Sequence, residues 1–202
     1  MKLVKKLMES IREYKKASIL TPIFVTVEVV MEVLIPFVMA SLIDKGIEAG
    51  SMSVIWKYGI LLLVLAMISL AFGTLAGHQA SIASCGLSQN LRKDMYYRIQ
   101  NFSFSNIDKF STASIVTRLT TDVTNVQNAY QMLLRMFVRA PISMVCAMFM
   151  SFYINAKLAS IYLVAVIILG ACLFFIISRV SGYFQEVFKK YDDLNASVQE
   201  NI

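Results

Sequence analysis

The chain has 202 residues, of which 57% are hydrophobic and only 16% charged, and its mean hydropathy is +0.65. Those proportions exclude an ordinary soluble domain, which surrounds one core with a charged exterior. The formal net charge of +6 calls for no nucleic-acid partner, because the basic residues border apolar blocks and suit anionic lipid headgroups.

In residues 1–16, Val4, Leu7, Met8, Ile11 and Tyr14 recur at helical spacing, with Lys5, Lys6, Arg12, Lys15 and Lys16 largely elsewhere on the wheel. This pattern predicts a helix lying on the inner membrane surface. A first span follows over 17–43. It is too long for a secretory signal, it contains Glu28, Glu32 and Pro36, and further spans follow it, so a retained helix is the better reading. The second span is predicted over 54–77, the third over 137–154 and the fourth over 158–178. Each is compatible with a helix crossing about 30 Å of hydrocarbon, which takes about 20 residues. The uncharged part of the third, 140–154, is short, so Arg139 is expected to snorkel to its edge while the helix continues inward.

Basic residues orient the spans. Six of the nineteen precede Ala17, seven lie between His78 and Arg139, and three follow Ser178, while the outer connections hold only Lys45, Lys57 and Lys157. The positive-inside rule therefore places both termini and residues 78–136 in the cytoplasm of a multi-pass protein. Cys85, Cys146 and Cys172 show no paired spacing and neighbour no histidine cluster, so they read as small buried hydrophobes, with no metal site implied.

The inner connection of about sixty residues has helical patterning on both sides (Leu87, Leu91, Met95 and Ile99; Val116, Leu119, Val123 and Val126) and a polar break near 102–114. It reads as two helical arms meeting at a tip. The tip holds Asn106, Ile107, Asp108, Lys109 and Phe110, followed by Ser111 and Thr112, which suit a helix cap. By periodicity and composition alone it reads more readily as a solvated turn than as a docking point.

Asn106-Ile-Asp-Lys-Phe-Ser-Thr-Ala-Ser, followed by Arg118-Leu-Thr-Thr-Asp122-Val, resembles the first intracellular loop of ATP-binding-cassette (ABC) exporters. Ile107 and Ala113 replace an aromatic residue and a glycine of the family pattern. Leu91–Gln100 is similar to the second helix's arm, Arg139-Ala-Pro141 to the start of the third span, and Val198-Gln-Glu-Asn-Ile202 to the opening of a further family stretch. Glu32-Val-Leu-Ile-Pro36, followed by Leu42–Ile47, resembles the first helix of bacterial multidrug-type exporters, many of them heterodimeric.

The resemblance implies an all-α membrane protein: four long transmembrane helices with cytoplasmic extensions, the front part of a six-helix exporter domain in a bacterial plasma membrane. It implies that 106–112 form a coupling helix on nucleotide-binding domains, that 179–202 begin a second intracellular extension, and that a second transporter subunit completes the assembly. No Gly-x-x-x-x-Gly-Lys-Ser/Thr phosphate loop occurs in these residues, so ATP and magnesium are expected on a separate nucleotide-binding domain, and no catalytic residue is assigned here.

Glu28 and Glu32 stand one turn apart and so share a helix face. Counted from Ala17, Glu28 lies about 17 Å along the span, near mid-membrane. Such carboxylates read either as the wall of a substrate pathway for multidrug, amphipathic or cationic cargo, or as an interhelical packing device beside the Pro36 kink. The competing functional reading is a membrane anchor that binds a cytoplasmic partner and moves nothing. Topology is checked by thiol labelling of intact cells: an impermeant reagent added outside should modify a cysteine placed at Ser51 and spare one placed at Asn106.

Overall fold

Uninterrupted apolar runs with few glycines and prolines become helices because a bilayer offers backbone groups no partner outside the segment. The computed structural model describes residues 7–101 and 112–200, with Thr112 and 181–200 described by backbone alone. Every regular element among them is helical. A 3-10 turn at Arg12–Tyr14 leads into α1 (Lys15–Leu42), which passes through a π turn at Ile43–Ile47; α2 (Met52–Gln100) follows. A short α3 (Thr112–Thr117) runs through a second π turn, Arg118–Asp122, into α4 (Val123–Ile154), and α5 spans Ala156–Glu200. Among the described residues, four stretches are long and apolar enough to cross a membrane. The chain is therefore a multi-pass membrane protein.

The structure divides into two units, Met1–Ala147 and Met148–Ile202. In the second, Asn155 caps α5, its Oδ1 accepting from the backbone N–H groups of Lys157 at 3.0 Å and Leu158 at 3.2 Å. From Leu158 to Val180 the large apolar side chains of α5 are exposed, as expected of a surface solvated by lipid.

In the first unit α1 and α2 run antiparallel. Ala17, Thr21, Val25 and Val29 of α1 are buried, as are Ala76, Ala80, Ala83, Ser84, Gly86 and Leu87 of α2. The small residues allow close backbone approach, which replaces the hydrophobic drive that lipid removes from helix association. Thr21 satisfies its buried hydroxyl by donating to the Ala17 carbonyl at 2.9 Å. α4 lies parallel to α1: Leu134 packs with Ala17 and Ala83, Val138 and Ile142 pack on Val25, Val29 and Ala76, and Tyr130 donates to Ser18 Oγ at 2.9 Å.

α4 already packs on α1 ahead of the predicted third span, 137–154. Tyr130 is level with Ser18, so α4 packs along α1 from near the beginning of that helix. The Arg139 guanidinium, expected to snorkel, is directed at carboxylates of α1, and a guanidinium paired in this way has less need to reach water.

The opening segment also differs from a single surface helix. Residues 7–9 are helical, but the chain then turns through Arg12 at φ 41, a left-handed conformation uncommon for a side-chain-bearing residue. Ser10 and Ile11 are buried. The turn is held by α2: Asn90 Nδ2 donates to the Ser10 carbonyl at 2.9 Å, and Arg12 pairs with Asp94 at 2.8 Å. The Tyr14 ring lies over Gly86, in the space a Cβ would fill. Gly86→Leu should displace that ring and release the segment, at a cost of about 1–3 kcal/mol. Faster amide exchange of residues 7–16, with exchange in α4 unchanged, is the expected readout.

A buried charge cluster as candidate functional site

Along α1 the nearest charged residues to the Glu28–Glu32 pair are Lys16, twelve positions before Glu28, and Asp44, twelve after Glu32. At 1.5 Å per residue each gap is about 18 Å, so the pair lies deep in the span. A carboxylate at such depth needs a partner. α4 supplies it. Arg139 Nη1 donates to Glu28 Oε1 at 2.9 Å, and Arg139 Nη2 donates to both oxygens of Glu32 at 2.7 Å. One planar guanidinium thus spans two carboxylates placed a turn apart, a geometry that lysine's point charge does not offer.

The two arms differ in burial. The Glu28 side chain is 11% exposed, whereas those of Glu32 and Arg139 are 41% and 40% exposed. Solvent screening therefore weakens the Glu32 pair, and Glu28 is the carboxylate that depends on its partner. Its Oε2 is buried with no hydrogen-bond partner among the described residues. Gly73 of α2 makes room for this carboxyl group: a Cβ there would stand 2.9 Å from Glu28 Oε1.

Beside the cluster lies a cavity of about 490 Å³. Val25, Met132 and Met136 give it apolar walls; Glu28, Asn128, Gln131, Arg135 and Arg139 give it polar ones. Pro36, the third pathway residue expected from sequence, lies one turn beyond Glu32 within α1. Lacking an N–H, it cannot complete the helical bond to the Glu32 carbonyl.

Of the residues expected at the coupling tip, Asn106, Ile107, Asp108, Lys109, Phe110 and Ser111 lie outside the described residues, and Thr112 opens α3. The arms flanking them are joined by side chains. Arg92 of α2 donates to the Leu119 carbonyl at 3.3 Å and to Thr124 Oγ1 at 3.2 Å. Gln127 of α4 donates to Cys85 Sγ and Gln131 donates to Ser81 Oγ, both at 3.3 Å.

The sequence profile described as the ABC transporter transmembrane region matches residues 18–202. The chain belongs to that family. Among relatives of this ABC transporter region, the uncharacterized ABC transporter ATP-binding protein YfiB of Bacillus subtilis is 32% identical over 98% of the chain and 35% of its own length. A second Bacillus subtilis protein, the uncharacterized ABC transporter ATP-binding protein YfiC, is 22% identical over 98% of the chain and 33% of its own length. The ATP-dependent lipid A-core flippase of Wigglesworthia glossinidia brevipalpis is 26% identical over 89% of the chain and 30% of its own length. The chain thus spans about a third of the length of the curated relatives it matches.

Sequence reasoning found the two carboxylates of this ABC transporter region and missed their cation. The signal was present: a pair of acids inside one span demands a base at equal depth in another, and Arg135 and Arg139 are the bases that border the apolar run of the third. Gly73→Val should push the Glu28 carboxylate off Arg139 and lower stability by about 1–3 kcal/mol. Gly59, which has nothing within 4 Å, serves as the control, and Gly59→Val should leave the melting temperature of the intact transporter in nanodiscs nearly unchanged.

Proposed function

We propose that this chain is permease sequence of an ATP-driven ABC exporter, contributing part of the translocation pathway and linking it to nucleotide-binding domains. The joined arms of α2 and α4 carry this reading. Level with Ala17 on α1 is Ala83 on α2, and α2 continues for seventeen more residues to Gln100, about 26 Å. Cross-bonding by Arg92, Gln127 and Gln131 lets the two arms move together, so a displacement at their shared tip is delivered to the spans.

In this reading residues 78–136 are cytoplasmic, and 106–112 touch a nucleotide-binding domain that holds ATP and magnesium outside these residues. A second transporter subunit, identical or different, completes the pathway in a bacterial plasma membrane. Amphipathic compounds of the multidrug type suit the mixed apolar and polar walls of the cavity. Purely cationic cargo has weaker support than the bare sequence gave it, since Arg139 already pairs both Glu28 and Glu32.

The test is an Asp108→Ala/Phe110→Ala double variant of the intact transporter in membrane vesicles, assayed with a panel of dyes, lipids and peptides. Transport should fall at least about tenfold while ATP hydrolysis and membrane insertion persist. Undiminished transport would remove the coupling role, and an intact wild-type assembly that moves none of the panel would favour the anchor reading.

A further inference from the structure

Arg135 precedes Arg139 by four residues on α4, just as Glu28 precedes Glu32 on α1, and the two helices run parallel. Arg139 reaches Glu32 across a sequence offset of 107, and Arg135 stands at the same offset from Glu28. The spacing therefore makes two rungs available, Glu28 with Arg135 and Glu32 with Arg139. The structure instead shows one guanidinium serving both carboxylates.

What remains unused is complementary. Glu28 Oε2 is buried without a partner, and Arg135 makes no hydrogen bond or ion pair among the described residues. Both residues line the same cavity. Both also face the glycines of α2: Glu28 packs against Gly73, and a Cβ on Gly77, one turn along, would stand 3.8 Å from Arg135 Nη1. No side chain of α2 stands on those two positions to block a guanidinium moving along that face.

We propose that Arg135 is the second partner of Glu28, and that the Glu28 carboxylate passes between Arg139 and Arg135 when α4 moves against α1. A buried carboxylate resists any motion that strips it of its counter-ion. A second guanidinium one turn away supplies a second stable arrangement, and two discrete arrangements of one interface are what a switching element requires. Arg135 is a positioning residue in this scheme: it acts through Glu28 and needs no contact with cargo.

The test uses the intact transporter with its nucleotide-binding domains in nanodiscs, and its thermal arm does not depend on the transport reading. Arg135→Gln alone should leave the melting temperature within about 1 °C of wild type, because Arg139 still holds Glu28. Arg139→Gln should lower it, and Arg135→Gln/Arg139→Gln should lower it by at least about twice as much, since Glu28 then has no cation. Arg135→Lys in the Arg139→Gln background should restore the value of the Arg139→Gln single variant, and adding Glu28→Gln to the double variant should recover most of the loss. Strict additivity of the two arginine changes, or no recovery with Glu28→Gln, overturns the proposal. The functional arm measures cargo moved per ATP hydrolysed, which Arg135→Gln should reduce at least about threefold at unchanged melting temperature. An unchanged ratio overturns the exchange, whereas an assembly with no transport even in the wild type would count against the exporter reading alone.

Discussion

A carboxylate removed from water by three helices must be paired, and that constraint at Glu28 organises the first unit of this molecule. Arg139 answers it at 2.9 Å, and because the same guanidinium also takes Glu32, the axial register of α4 on α1 is fixed to within a turn. Apolar packing alone would not do this, since lipid tails compete for every leucine and valine surface on equal terms. The surrounding shape follows from the pair. Gly73 is open where the carboxyl group lies, and Ala76, Ala80 and Ala83 let α1 and α2 close over the rest.

The same economy appears at the arm end. There the spans no longer need apolar surfaces, and the connection passes to polar side chains: Tyr130 to Ser18, Gln131 to Ser81, Gln127 to Cys85 and Arg92 to the backbone at Leu119. The N-terminal segment joins through Arg12 and Asp94. One helix, α2, therefore carries the packing of the spans, the docking of the opening turn and the bracing of the return arm. Gly77 and Gly86 serve successive parts of that work, each leaving room for a side chain from another element.

Much of this was legible in the sequence, because apolar run length and basic-residue bias are properties of single segments. The all-helical class, the four spans and the transporter family were readable from local pattern and from the stretch around Arg118-Leu-Thr-Thr-Asp122. What escaped were facts about pairs of helices. Hydropathy registered Arg139 as a charge beside an apolar run and could not show its partners, because a window sees its charge and not the carboxylates of a helix 111 positions earlier. Periodicity likewise placed Ile11 and Tyr14 on a membrane-facing stripe, whereas Asn90, Asp94 and Gly86 of α2 draw that stretch into a turn. In both cases the deciding partner is distant in sequence, and no local pattern encodes it.

The pairing across α1 and α4 also bears on how the protein is made. Each span must leave the insertion machinery for lipid, and a charge at the centre of an isolated helix costs about 2.5–3.5 kcal/mol to insert. α1 emerges with Glu28 and Glu32 and no cation of its own at that depth, while Arg135 and Arg139 are synthesised about a hundred residues later. α2, free of charge from Tyr58 to Gly77, faces no such barrier and presents the glycine and alanine strip against which α1 can wait. Release into the bilayer is thus cheapest as a bundle. The carboxylates of α1 meet their cation only when the third span arrives, so the pair that clasps the finished structure is also among the last of its contacts to be completed in synthesis.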